Sequence, residues 1–280
     1  MFSKLLKYEW KANASLLSIL SLCALGVGFL GAGLLRAIEY TGKSIENAQM
    51  ATVAVSGLSS MLVFVGVALV AYALAVQFIT FFRFYKNKFT DQGYLTFTLP
   101  VTAHQIFLSS FLNILIWLVI SVVVLLCAFC IIVFVGIGGP WEELKEIFSG
   151  IENDLQGIQV HVPGMGAFLT LSVLQIFVAP VYAIVLLMTS ITLGCVLAKK
   201  HKILATIGMY YCINMVVNIA SSVLSVIPTI LMIGSAMTGA DDYFRYLALS
   251  VGLTILLQLG LMVGGYFWSV HLMKHKLNLP

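Results

Sequence analysis

The chain has 280 residues, of which 61% are hydrophobic and only 9% charged. A soluble domain carries about 25% charged residues, so this composition excludes an ordinary water-soluble globular protein and requires a bilayer. The net charge of +4 comes without a continuous basic run, which argues against a nucleic-acid partner and leaves anionic lipid headgroups to receive the lysines.

Charge-free stretches run 12–35, 47–82, 92–141, 155–198, 203–240 and 246–270. A helix needs roughly 20 apolar residues to cross a hydrocarbon core of ~30 Å. Each stretch is long enough for one crossing. The longest opens with a polar run that carries Pro100, so it too is read as one crossing. The predicted fold is an all-α integral membrane protein, one transmembrane domain over residues 1–280, with six transmembrane helices and an N-terminal amphipathic interfacial helix.

Residues 2–11, within an interfacial segment 1–12, place Lys4, Lys7 and Lys11 on one helical face and spread Phe2, Leu5, Leu6 and Trp10 over the other. Glu9 points toward the apolar side. It either pairs with a cation such as Arg83 or Lys86, or snorkels to water. Helix 1 is expected over 14–36, where Ala24, Gly28 and Ala32 recur every four residues and permit close approach of another helix. The first stretch is too long for a signal peptide.

Helix 2 is expected over 55–84 and ends in the aromatic cluster Phe78, Phe81, Phe82, Phe84 and Tyr85, suited to a membrane interface. The following connection, 85–103, contains two capped starts. Thr90 can cap a short helix, Pro100 stops what precedes it, and Thr102-Ala-His-Gln105 has capping-box spacing and opens helix 3 over 104–136. The segment 137–165 includes an amphipathic run from Pro140 to Phe148 and is too small for a domain of its own. Helix 4 is expected over 166–198 with Pro180 as a kink. A short Lys199-Lys-His-Lys202 turn makes helices 4 and 5 antiparallel neighbours. Helices 5 and 6 follow over 203–235 and 245–272.

The charges between these spans alternate. The first, third, fifth and last segments hold 11 of the 15 Lys/Arg, with only Glu9 and Asp91 among the acids. The others hold four Lys/Arg and nine acids. Cytoplasmic loops retain Lys and Arg, so both termini, the 85–103 connection and the 199–202 turn are expected in the cytoplasm, and 137–165 outside.

Motifs for chemistry are sparse. The spans between 47 and 82, 92 and 141, 166 and 198, and 203 and 240 lack Asp, Glu, Lys and Arg, which argues against a proton-coupled carrier because such pathways need titratable groups at depth. Sodium sites built from carbonyls stay open. Asn214, Asn218, Ser221, Ser222 and Ser225 fall on one face of helix 5. In lipid that face must meet another helix or a wet cavity, so it is either a helix–helix contact or a pathway or subunit seam. His271 and His275 stand i, i+4, but no third ligand lies nearby, and no metal is expected. No catalytic motif and no phosphate-cradling G-x-x-x-x-G-K-[ST] occurs.

Two segments carry a family resemblance. Lys4-Leu-Leu-Lys7-Tyr-Glu9-Trp10-Lys11 is similar to an interfacial elbow helix. Tyr85-Lys86-Asn-Lys88-Phe-Thr-Asp91-Gln-Gly93-Tyr94-Leu95-Thr-Phe-Thr-Leu99-Pro100-Val-Thr102 is similar to the segment between helices 2 and 3. With the six-span layout, the chain resembles the permease subunit of bacterial ABC-2-type ABC exporters of the short Firmicutes kind. The resemblance implies a non-catalytic subunit in the bacterial plasma membrane. ATP and Mg would be bound by a separate ABC ATP-binding subunit, and this chain would hold no cofactor. A coupling helix, by position Lys86–Thr98, would dock on that subunit, with Lys86, Lys88, Asp91, Gly93, Tyr94 and Leu95 as contact candidates. Two permease subunits, as a homo- or heterodimer, would form the pathway mainly with helices 1, 2 and 5. The family's re-entrant hairpin between helices 5 and 6 has only 236–244 available here. A non-transporting scaffold or sensor subunit and an ion-coupled secondary carrier are the alternatives. The substrate is not legible, although the apolar faces suit an amphipathic peptide, lipid or drug.

Overall fold

The computed structural model describes residues 2–44, 48–90, 93, 101–136, 145–146, 149–150, 153, 163–198, 201–234 and 240–275. Among the described residues there are six long helices: α1 (Phe2–Ser44), α2 (Ala48–Phe89), α3 (Ala103–Gly136), α4 (Pro163–Leu197), α5 (Lys202–Gly234) and α6 (Ala240–His275). All six are long and apolar enough to cross a membrane. No strand occurs among the described residues.

The expected break between an elbow helix and helix 1 does not appear, because α1 runs 43 residues without interruption. The physical reason is local. Ala12-Asn13-Ala14 offers no Gly or Pro to break the helix, and Asn13, the side chain suited to cap a new start, is 4% exposed and accepts a hydrogen bond from Arg83 Nη1 at 2.8 Å. At 1.5 Å per residue such a helix is about 60 Å long, more than the ~45 Å of a whole bilayer. The amphipathic character of the first turns is as expected. Lys4, Lys7 and Lys11 are exposed, while Leu5, Leu6 and Trp10 are half-buried.

The chain forms two compact units, Met1–Phe84 with Leu108–Glu146, and Tyr85–Phe107 with Ile147–Pro280. In the first unit, Leu17, Ala24, Tyr72, Val76 and Trp117 form a core, and the rings of Trp10 and Trp117 stack at 4.9 Å. Lipid supplies no hydrophobic drive for one helix to meet another, so small residues and polar contacts decide the packing. The small stripe on α1 serves that purpose: a Cβ on Gly28 would lie 3.1 Å from the Ala128 Cα, so α3 is the helix that approaches. The Ser21 and Tyr72 hydroxyls bond at 3.0 Å, and Arg36 Nε donates to the Val135 carbonyl at 2.7 Å.

In the second unit α4 packs most extensively on α6, and α5 meets both. Polar side chains tie α4 to α6 at depth. Gln175 Nε2 donates to Gln258 Oε1 at 3.1 Å. Ser269 lies within hydrogen-bond reach of Thr189 at 3.1 Å and of Thr192 at 3.3 Å. The short turn brings α4 and α5 together, as its length predicts. A Cβ on Gly194 would stand only 2.5 Å from the Thr206 Cα, so this approach requires glycine. Pro180 and Pro228 lie inside α4 and α5 without ending them.

Candidate functional site

The connection between α2 and α3 is built from ordinary helix-end chemistry. The last turn of α2 carries Lys86 and Lys88, cations placed where the helix dipole favours them. The Thr90 hydroxyl donates back to the Lys86 carbonyl at 2.5 Å. The Thr90 carbonyl accepts from the Gly93 N–H at 2.7 Å, closing a turn. The capping box that opens α3 is present and reciprocal. Gln105 N–H points to Thr102 Oγ1, and Thr102 N–H to Gln105 Oε1, both at 3.4 Å.

The contact candidates divide. Lys86 is exposed and Gly93 is buried. Lys88 is only 3% exposed. Asp91, Tyr94, Leu95 and Pro100 lie outside the described residues, as do most of 137–165 and residues 235–239.

Residues that sequence reasoning missed hold the ends of this connection. Lys202 Nζ donates to the Phe89 carbonyl at 3.3 Å. His104 Nδ1 and the Tyr266 hydroxyl are 3.1 Å apart, and the Phe107 ring meets Tyr266 edge-on at 5.3 Å. Tyr266 gave no signal, being one aromatic ring in an apolar run.

At the start of α1, Glu9 does not snorkel. It is 8% exposed, and its Oε1 accepts from the Ser110 hydroxyl at 2.9 Å and the Ser109 hydroxyl at 3.4 Å. Arg83, a candidate partner for it, donates to the Ala12 carbonyl and to Asn13 Oδ1. The polar run Ser109-Ser110-x-x-Asn113 at the start of an otherwise apolar helix was the available signal. Further along α3, Asn113 Oδ1 and Trp117 Nε1 are buried with no hydrogen-bond partner among the described residues.

The polar face of α5 is open. Asn218, Ser222 and Ser225 are exposed, and Asn214 and Ser221 half-exposed. Their hydrogen bonds stay within the helix: Asn214 Nδ2 to the Tyr210 carbonyl at 3.0 Å, Ser222 Oγ to the Asn218 carbonyl at 2.8 Å and Ser225 Oγ to the Ser222 carbonyl at 2.8 Å. Over its apolar window α5 is the least buried of the six helices. Of the two readings of this stripe, the described structure thus gives no contact to another helix of the same chain through these hydrogen bonds. Among the described residues no group of three His, Cys, Asp or Glu stands close enough to hold a metal ion.

Fold and site together define a multi-pass helical membrane protein with six candidate spans. Compared with protein-family models, with curated proteins and with solved structures, the chain matches none.

Proposed function

We propose that this chain is the transmembrane permease subunit of an ATP-driven exporter, coupled to a separate ABC ATP-binding subunit in the bacterial plasma membrane, with both termini cytoplasmic. The observation that carries the reading is the 85–103 connection. Its sequence resembles the coupling segment of ABC-2 permeases. Both of its described ends are ordered, by the Thr90–Gly93 turn on one side and the Thr102–Gln105 box on the other. A loop that a motor pushes must transmit displacement instead of absorbing it, and capped ends suit that role. Lys86 is the exposed basic contact.

The open face of α5 supports a second permease subunit. The Ser222 and Ser225 hydroxyls are satisfied within the helix, but the exposed Asn218 amide is better placed against another helix or a wet pathway than against lipid. Two copies, or a copy and a relative, would bring two such faces together. The chain itself has no phosphate-cradling motif, so ATP and Mg belong to the partner.

Co-purification tests the reading. An ABC ATP-binding subunit encoded beside this chain is expected to co-elute with it from detergent and to show ATP hydrolysis stimulated by it. Exchange of substrate in liposomes holding the chain alone, driven by a sodium or proton gradient, would instead favour an ion-coupled carrier. Absence of any transport with the ATPase bound would favour a sensor or scaffold.

A further inference from the structure

We propose that the two ends of the 85–107 connection form a handle fixed to the α4–α6 bundle, so that force applied to the connection is delivered to these three helices together. The source of the force rests on the coupling reading above; the handle does not.

Chain order would assign the connection to α2 and α3, the helices it joins. Its contacts run elsewhere. Residues 85–107 belong to the same compact unit as 147–280. At the first end, Phe89 closes α2, so its carbonyl lies in the last turn, at the negative end of the helix dipole. Lys202 Nζ donates to it at 3.3 Å and sets a cation at that end. Lys202 is also the first residue of α5. One side chain therefore joins the end of α2 to the start of α5. Phe89 itself is 2% exposed, so this end is packed as well as bonded.

At the second end, the first turns of α3 seat on a single ring of α6. His104 Nδ1 lies 3.1 Å from the Tyr266 hydroxyl. Phe107, 1% exposed, meets the same ring edge-on at 5.3 Å. Edge-to-face pairs are directional as well as cohesive, so Tyr266 fixes both position and angle.

The bundle that receives these contacts is itself locked. Gly194 admits the Thr206 backbone so closely that no Cβ fits, which holds α4 to α5. Thr189, Thr192 and Ser269 hold α4 to α6. Displacement travels through contiguous rigid elements of this kind. From Phe89 the route runs to α5 and α4, and from Phe107 to α6, so neither end of the connection can shift without carrying the bundle or breaking a named contact.

Spin labels on the full chain in lipid nanodiscs test the handle. In a background with the five native cysteines replaced by serine, Lys86→Cys and Tyr243→Cys place labels on the connection and on α6, both at exposed positions. The parent is expected to give one narrow distance distribution. Lys202→Met and Tyr266→Leu are each expected to broaden it. Lys202→Arg, which keeps a donor, restores it, and Tyr266→Phe, which keeps the ring, broadens it less than Tyr266→Leu. A parent distribution as broad as the variants', or no broadening in either variant, overturns the handle. With an ATP-binding partner present, Lys202→Met in the unlabelled chain is expected to leave binding intact and to lower transport per ATP by about tenfold, the effect of losing one hydrogen bond from a charged donor. Unchanged transport per ATP in that variant also overturns the handle. Failure of any ATPase to bind the parent refutes the exporter reading and leaves the spin-label result to stand for the handle alone.

Discussion

The Ser110 hydroxyl donates a hydrogen bond to the Glu9 carboxylate at 2.9 Å, across 101 residues of chain. Ser109, fully buried, donates to the same oxygen at 3.4 Å. One turn along α1, Asn13 receives Arg83 from α2. These contacts join α1, α2 and α3 through polar side chains, which suits a medium that offers no hydrophobic drive between helices. Removing the acid removes a charged acceptor shared by two buried hydroxyls. Glu9→Leu is expected to cost about 1.5–3 kcal/mol, the range for hydrogen bonds to charged groups, read as a lower melting temperature in detergent. Glu9→Gln keeps an acceptor and is expected to cost less than half as much. Equal melting of parent and Glu9→Leu would show that the carboxylate adds nothing to the packing.

Two glycines in helices make a controlled pair. A Cβ on Gly194 would meet the Thr206 Cα at 2.5 Å and N at 2.6 Å, both backbone atoms that cannot swing away. Gly194→Ala is expected to destabilise by about 1–3 kcal/mol, as overpacking does. Gly26 has nothing within 4 Å of the same point. Gly26→Ala is expected to be neutral, or stabilising by up to about 1 kcal/mol from helix propensity. Melting curves of the two variants against the parent check the sign of each.

The six spans were legible because charge is excluded from lipid so strictly that its absence marks each crossing. The capping box at Thr102 was legible because it is local, set by a spacing of three residues. The close approach at Gly28 followed from small residues repeated on one face. The continuity of α1 was not legible, since the change from an amphipathic to an apolar pattern near Ala12 resembles a boundary although no residue there breaks a helix. Lys202 and Tyr266 escaped for another reason. Their burial and partners depend on contacts between segments far apart in sequence, and a basic residue near a turn carries no local sign of which carbonyl it will find.

Capping at the start of α3 is open to direct measurement. Thr102→Ala removes one half of the reciprocal box and is expected to cost about 0.5–2 kcal/mol, with hydrogen exchange rising first at the amides of residues 103–106. Thr102→Ser should restore protection. Exchange unchanged in Thr102→Ala would mean that the box is not what holds this end of the connection.

The open face of α5 separates stability from function. Asn218 and Ser222 are exposed, and the Ser222 hydroxyl donates within its own helix, so Asn218→Leu and Ser222→Leu are expected to change the melting of the isolated chain by no more than about 0.5 kcal/mol, as exposed substitutions do. The same variants are expected to weaken subunit pairing or transport. A large loss of stability in the single chain, with transport retained, would make the stripe purely structural.

The central claim is that a separate ATPase drives this chain through the 85–103 connection. Its most direct test is ATP hydrolysis in proteoliposomes holding the chain and an ABC ATP-binding subunit encoded beside it, with and without charge reversal of the connection by Lys86→Glu and Asp91→Lys. The account predicts a stable complex and hydrolysis stimulated by the parent, with both lost on reversal while the reversed chain still folds. A reversed chain that binds and stimulates as the parent does, or a parent that binds no such subunit, would contradict it.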